Sequence, residues 1–157
     1  MRLRRSDRRA QAALPSYDDE LRAVLLFAQE GLDWQGDLEE LLESIRDEGE
    51  LGELSRAGGP IISRYEAMRF GLRAVREPRL RPYARSVDEV FANHALLLHS
   101  ALDLLAVARR SERLRDEQRK LGGVGAQGVR LQRITRELKA LTEQQATPAM
   151  LGLPADP

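Results

Sequence analysis

The chain has 157 residues, of which 25 are basic and 25 acidic, so its formal net charge at pH 7 is zero. It contains no cysteine, which excludes disulfides, thiolate metal sites and cysteine nucleophiles. Only 4% of the residues are aromatic, so Leu, Ala, Val and Ile must form the core, and this composition favours packed helices. We predict an all-α fold in which short N-terminal helices precede a long helix and an antiparallel helical hairpin.

The charges are distributed in blocks of opposite sign. Residues 17–53 carry a net charge of −11, whereas residues 54–85 and 109–139 each carry +6. Such asymmetry predicts contacts between oppositely charged blocks, within the fold or between subunits, and it leaves basic blocks that can meet phosphate. The alternative is compositional, because Lys120 and Lys139 are the only lysines and an arginine excess is typical of GC-rich genomes.

The first 15 residues have no apolar period and are predicted to form a flexible basic arm. No apolar signal core follows the arm, so a cytoplasmic location is expected. The longest apolar stretch, 95–108, is too short to span a bilayer, and we expect no membrane association. The arginines of the arm are Arg2, Arg4, Arg5, Arg8 and Arg9.

A small helical domain is predicted over residues 16–82. Its first helix begins at a capping box formed by Ser16 and Asp19 and ends at Gly31. The glycine-rich run 49–59 is expected to be a loop, or a loop with one helical turn. The predicted helices cover residues 17–31 and 35–48, and a third starts after Pro60 and ends before Pro78.

The main predicted feature is one long helix that starts after Ser86. Residues 87–121 contain neither Gly nor Pro, and at 1.5 Å per residue they form a helix of roughly 50 Å. Its apolar residues alternate by four and three positions, which is typical of a coiled-coil seam and predicts self-association. The seam consists of Val87, Phe91, His94, Leu98, Ala101, Leu105 and Ala108.

A return helix is predicted to complete a hairpin domain over residues 83–146. The glycine-rich segment 122–128 forms the turn, and residues 129–145 fold back antiparallel on 109–121. Residues 147–157, which contain three prolines, are expected to be a tail.

No catalytic or metal constellation is found. His94 and His99 are separated by about 140° around their helix, so they cannot ligate one metal ion. The spacing of the glutamates in segment 39–43 resembles the magnesium-binding helix of all-α nucleotide pyrophosphohydrolases. That family needs a second acidic pair, whereas Glu66 is followed by apolar residues and Arg69. We therefore predict no enzyme activity, no metal and no cofactor, and we interpret 39–43 as a solvated acidic face.

The segment 62–66, Ile-Ser-Arg-Tyr-Glu, resembles the recognition helix of repressor-type helix-turn-helix domains. The resemblance implies that Ser63, Arg64 and Arg69 contact base edges or phosphates. The sequence departs from the family pattern at Arg56, where the family has its turn glycine, and Gly58-Gly59-Pro60 shortens the turn. The same residues also fit an ordinary capped helix start.

Residues 80–157 resemble the oligomerisation half of phage terminase small subunits in their long helix, charged continuation, glycine turn and return helix. The resemblance implies a viral protein that forms rings, binds double-stranded DNA and recruits another protein subunit. We predict a non-enzymatic, self-associating, DNA-binding protein; the alternative is a structural or adaptor protein that binds only proteins through charged helical faces. The expected DNA contacts are Arg64, Arg69 and Arg73 together with the arm residues Arg2, Arg4, Arg5, Arg8 and Arg9.

Overall fold

A computed structural model of the chain describes residues 15–108 and 110–150, with side chains as far as residue 145. It confirms the all-α prediction, since these residues form five helices and no strand. The helices are α1 (Tyr17–Arg46), α2 (Leu51–Arg73), α3 (Arg81–Ala108), α4 (Glu112–Arg119) and α5 (Gly125–Met150).

Helices α1, α2, α3 and α5 form an up-down-up-down bundle, in which α3 contacts all the other helices. Glu20 near the start of α1 bonds the backbone just beyond the end of α2, so these two helices run antiparallel. Gly58 in the first half of α2 lies against Leu98 late in α3, so α2 and α3 also run antiparallel. α5 descends along α1 and α3, and the short α4 closes the end of the bundle where α1 finishes.

One hydrophobic core extends through the bundle, from Leu21 in α1 to Leu138 in α5. It joins the region predicted as a small domain, 16–82, to the region predicted as a hairpin, 83–146. The centre of the core is aromatic, because the ring centroids of Tyr65 and Phe91 lie 5.2 Å apart.

The prediction of two N-terminal helices separated at Gly31 is wrong, because α1 is continuous from Tyr17 to Arg46. Its capping box is confirmed: Asp19 N–H donates to Ser16 Oγ, and Ser16 N–H donates to the Asp19 carboxylate. Gly31 is buried in the middle of α1, where the absence of a side chain leaves room for Phe91. The packing that this permits outweighs the helix-propensity cost of glycine, about 1 kcal/mol.

The loop predicted over 49–59 is also wrong, because α2 starts at Leu51 and passes through Gly58, Gly59 and Pro60 without a break. Pro60 lies on the exposed side of the helix, where it removes one backbone hydrogen bond. Leu54 and Ile61 are buried on either side of this segment, and their packing holds the helix together. Ser63 therefore lies inside the helix and is not its N-cap.

The predicted continuous rod over 87–121 is interrupted, because α3 ends at Ala108 and α4 begins at Glu112. The apolar period stops at Ala108, so a straight continuation would carry a charged helix into water without packing. α4 instead crosses the end of the bundle, where Gln118 Nε2 donates to the carbonyl of Ile45.

All seven seam residues are buried, and the helices that bury them belong to the same chain. The heptad pattern of Val87–Ala108 therefore marks a helix that is buried by other helices of the same chain, not an exposed strip that needs a second copy. Self-association itself stays a prediction, but it must use other residues.

The return helix starts four residues earlier than predicted and packs on different neighbours. α5 contacts α1 and α3, and it makes no contact with α4 in the described part of the chain. Arg130 anchors α5 to α3, since its Nη2 donates to Ser86 Oγ and to Glu89 Oε2 at 3.2 and 2.7 Å. The predicted hairpin between α5 and 109–121 is thus replaced by an antiparallel pair of α5 and α1.

Among the described residues, α3 is long and apolar enough to cross a membrane by length and composition alone. It begins at Arg81, earlier than the apolar stretch 95–108 suggested, which explains the added length. The contacts of α3 with α1, α2, α4 and α5 account for the apolar residues on its buried sides, and 39% of its most apolar window is buried.

Candidate functional site

The opposite charge blocks of the sequence meet within the fold. Arg64 of α2 pairs with Glu30 of α1. At the far end of the bundle, Arg119 Nη2 lies 2.8 Å from Glu48 Oε1. These contacts join the acidic block 17–53 to both basic blocks, so part of the arginine charge is neutralised by the chain itself.

The three arginines of α2 that were predicted to contact DNA all have carboxylate partners. Arg69 Nε lies 2.8 Å from Asp88 Oδ1, and its Nη1 lies 2.7 Å from Glu66 Oε1. Arg73 Nε lies 3.3 Å from Asp88 Oδ2, and Arg64 pairs with Glu30. The side chain of Arg69 is only 18% exposed, so its guanidinium serves the α2–α3 contact. The arm arginines Arg2, Arg4, Arg5, Arg8 and Arg9 lie outside the described residues.

The helix-turn-helix geometry is not formed by these residues. Segment 62–66 lies in the middle of the length of α2, and the expected turn at 58–60 is helical. Tyr65, at the centre of the segment, is fully buried against Phe91. This stretch of α2 therefore does not present the short, protruding helix that enters a major groove in that family.

The turn between α2 and α3 is fixed by a buried carboxylate of α1. Glu20 is 7% exposed, and its two oxygens accept hydrogen bonds from Arg76 N–H at 3.0 and 3.1 Å and from Glu77 N–H at 2.7 Å. These two N–H groups lie in the turn, where they have no backbone acceptor, and the carboxylate satisfies them. Arg79 extends the contact, with its guanidinium carbon 4.1 Å from the centre of the Tyr17 ring.

A cleft of about 420 Å³ opens beside this turn, between the end of α2 and the start of α3. We call it the arginine cleft. Its rim carries Arg73, Arg81, Arg85 and Asp88, and its floor is formed by Leu72, Val75 and Ala84. Arg81 and Arg85 have no carboxylate partner among the described residues, so the rim keeps positive charge.

The opposite side of α2 presents an exposed apolar face. Phe70 is 80% exposed, the highest value for a large apolar side chain in the described part of the chain. Small exposed residues lie along the same side of the helix, and the charged side chains of Glu66 and Arg73 stand one turn before and one turn after Phe70. We call Gly59, Ser63, Ala67, Phe70 and Ala74 the α2 outer face; all five are exposed.

His94 is a core residue, 1% exposed, and its ring meets Tyr65 edge to face with centroids 5.4 Å apart. Its Nδ1 lies 3.2 Å from Tyr65 Oη, and its buried Nε2 has no protein partner. Burial lowers the pKa of His94 to about 4, and burial raises the pKa of Tyr65. The ring is therefore neutral at pH 7 and contributes packing.

The acidic segment 39–43 contributes a structural contact. Glu39 Oε1 accepts a 2.9 Å hydrogen bond from Val124 N–H, which ties the start of α5 to α1. No group of three or more potential metal ligands is found within the described residues.

Two features of the surface were not identified from the sequence. Arg81 and Arg85 were counted only as part of a basic block, although two like charges four residues apart at a helix start are an identifiable signal. Phe70 lies on the side of α2 away from the buried residues Tyr65, Met68 and Leu72, and an apolar residue off the buried side is the signal of an exposed face.

No protein-family model, no curated protein and no solved structure matches the chain. The resemblance to phage terminase small subunits therefore stays a prediction, and the function has to be argued from the chain's own surface.

Proposed function

We propose that the protein is a non-enzymatic helical bundle that associates with a second copy of itself through the α2 outer face. Phe70 carries the proposal, because an aromatic side chain left 80% exposed loses much of the stabilisation that burial would supply. Gly59, Ser63 and Ala67 lie on the same face at intervals of four residues. Small side chains at these positions allow a second helix to approach closely.

The α2 outer face is complementary to itself in an antiparallel pair. Pro60 and Phe70 lie at equal distances along α2 from the level of Tyr65, one on each side, as do Ser63 and Ala67. In a two-fold pair centred at that level, Phe70 of each copy covers Gly59 and Pro60 of the other. A Cβ added at Gly59 meets nothing within 4 Å, so this position is open to receive a ring. Two-fold contacts use one patch on both subunits, as this pairing does.

Sedimentation equilibrium of the full chain over a wide concentration range tests the proposal. The wild-type protein should reach the mass of a dimer, and Phe70→Glu should remain a monomer because the pairing would bury its charge. Leu96→Glu is the matched control, since Leu96 is also exposed, at 64%, but lies on α3. A wild-type protein that is monomeric at every concentration would contradict the proposal. Equal dissociation of both variants would exclude α2 as the contact.

DNA binding by such an oligomer is the second proposed activity, and the basic arm favours it. The arm carries five arginines and one acidic residue, Asp7. For each phosphate that an arginine neutralises, the slope of log affinity against log salt should become more negative by about 0.9. Changing all five arm arginines to Gln should therefore flatten the slope by roughly four to five.

The matched control for the DNA experiment replaces five exposed arginines of α4 and α5 by Gln and should keep the wild-type slope; these are Arg113, Arg115, Arg119, Arg133 and Arg136. Absence of duplex binding by the wild-type chain at low salt would remove the DNA proposal. The protein would then be interpreted as an adaptor that binds only proteins. A role like that of a terminase small subunit requires self-association and DNA binding together.

A further inference from the structure

We propose that the arginine cleft binds a small organic phosphate, with its phosphate group among Arg73, Arg81 and Arg85 and its apolar body on the cleft floor. The proposal does not depend on self-association or on DNA binding, because the cleft lies on the α3 side of α2 and is formed by described residues alone.

The start of α3 carries positive charge that no carboxylate in the described part of the chain pairs. Arg81 and Arg85 are one helical turn apart on the same face of α3, where like charges repel. They also lie at the N-terminal end of the helix, whose dipole disfavours cations, and the first turn of α3 contains no acidic residue. Asp88 and Glu89 lie one turn beyond Arg85, but they pair with Arg69, Arg73 and Arg130, so Arg81 and Arg85 form no ion pair among the described residues. A bound anion would offset both the repulsion and the dipole.

The carboxylate of Asp88, at the rim of the cleft, already has arginine partners. Asp88 accepts from Arg69 through Oδ1 and from Arg73 through Oδ2. Arg73 uses only its Nε in this contact, and its side chain is 58% exposed, so its two terminal nitrogens can donate to a ligand. Asp88 thus orients Arg73 towards the cleft while leaving Arg81 and Arg85 without a partner.

The net charge of the rim matches the charge of a phosphate monoester. Three arginines against Asp88 leave two positive charges on the rim. A phosphate monoester carries about −1.5 to −2 at pH 7, whereas a carboxylate carries one negative charge. Guanidinium groups donate two parallel hydrogen bonds to phosphate oxygens, so three of them can surround one phosphate group.

The apolar lining of the cleft can contact the organic part of the ligand. Val75 is half-buried and supplies the apolar surface that a ligand can reach, and Leu72 and Ala84, buried at 2% and 3% exposure, hold it in place from beneath. Ligand sites generally combine such a surface with a few convergent polar groups. The cleft, at about 420 Å³, is large enough for a phosphate with an attached ring or short chain.

Phenyl phosphate is a suitable probe, and calorimetric titration of the full chain at constant ionic strength measures its binding. Phenyl phosphate should bind in a saturable one-to-one reaction, more tightly than inorganic phosphate, and the backbone amide NMR signals of residues 72–88 should shift. The double variant Arg81→Gln/Arg85→Gln should weaken binding by tenfold or more, since two charge-assisted contacts are lost. The matched control, Arg115→Gln/Arg136→Gln, removes two exposed arginines elsewhere and should bind as the wild type does.

Three results would overturn the proposal. Equal weakening in the cleft variant and the control would mean a general charge effect. Equal affinity for phenyl phosphate and inorganic phosphate would mean that the floor takes no part. Duplex binding that is weakened by Arg81→Gln/Arg85→Gln, with no binding of phenyl phosphate, would assign the cleft to a polyanion. Circular dichroism verifies that each variant is folded, and the amide shifts of the unmodified chain locate the site independently of any substitution.

Discussion

Gly31 of α1 lies directly against the ring of Phe91 in α3, and a Cβ added at Gly31 would stand 2.5 Å from Phe91 Cζ. Leu131 of α5 lies next to the same point, with its Cδ2 3.3 Å from the added atom. Three helices of the bundle therefore converge on a position where the sequence has no side chain. The contact makes the separation of α1 and α3 sensitive to a single methyl group.

Gly31→Ala should lower the free energy of unfolding by about 1–3 kcal/mol, because the methyl overlaps a buried ring that cannot move without displacing its neighbours. Gly36→Ala is the matched control in the same helix, since a Cβ there meets nothing within 4 Å. That control should stabilise the protein by up to about 1 kcal/mol through helix propensity. Urea unfolding followed by circular dichroism measures both, and a stabilised Gly31→Ala would refute this packing.

Replacing Glu20 should destabilise the turn between α2 and α3. Glu20→Gln keeps the size of the side chain but removes its charge from three backbone hydrogen bonds, so we expect a loss of about 1–2 kcal/mol in unfolding free energy. Asp18→Asn, an exposed change in the same helical turn, should have little effect. Chemical denaturation measures both, and faster amide exchange at Arg76 and Glu77 should accompany only the first.

Arg69→Gln should reduce stability by about 1 kcal/mol, since it removes half-buried contacts with Asp88 and Glu66. Arg56→Gln is the control in the same helix, because Arg56 is exposed and bonds only the carbonyl of Gly52. If Arg69→Gln instead weakened duplex binding and left stability unchanged, Arg69 would be a DNA contact as the sequence first suggested.

The buried ring of His94 should make stability depend on pH. Its pKa in the folded protein is about 4, below the usual 6.5, so the unfolded chain binds more protons between these values. The free energy of unfolding should therefore fall as the pH is lowered from about 6.5 towards 4, by up to about 3 kcal/mol. Denaturation midpoints between pH 5 and 7 avoid most carboxylate titration. His94→Gln should lack this slope, and His99→Gln, an exposed change, should retain it.

The sequence predicted the fold class and the burial of the main apolar residues, but not the helix boundaries. Propensity placed breaks at Gly31 and at 58–60, whereas in the structure these residues are helical, with Gly31 and Gly58 against side chains of neighbouring helices and Gly59 and Pro60 exposed. A glycine required by tertiary contact cannot be distinguished from one required by a turn without knowing what packs against it. The heptad pattern of α3 was interpreted as a self-association seam, whereas helices of the same chain bury it, because a pattern does not specify to which chain the partner helices belong.

The candidate sites were less predictable for a related reason. Arginines were assigned to DNA from block charge, whereas the contacts with Glu30 and Asp88 depend on which helices are adjacent. The arginine cleft needs both the end of α2 and the start of α3, which meet only because Glu20 holds the turn between them. Phe70 was detectable in principle, since it breaks the apolar period of α2.

The position of α5 has a consequence for how the protein is made. One flank of α1 packs against α2, which follows it directly, but the other flank packs against α5, and Glu39 bonds Val124 across 85 positions of the chain. During synthesis that second flank stays in water until the final helix leaves the ribosome. A chain released early, before residue 125, would lack the α5 residues that lie against Gly31 and Gln35, and the uncovered flank of α1 would be a substrate for chaperones or for aggregation.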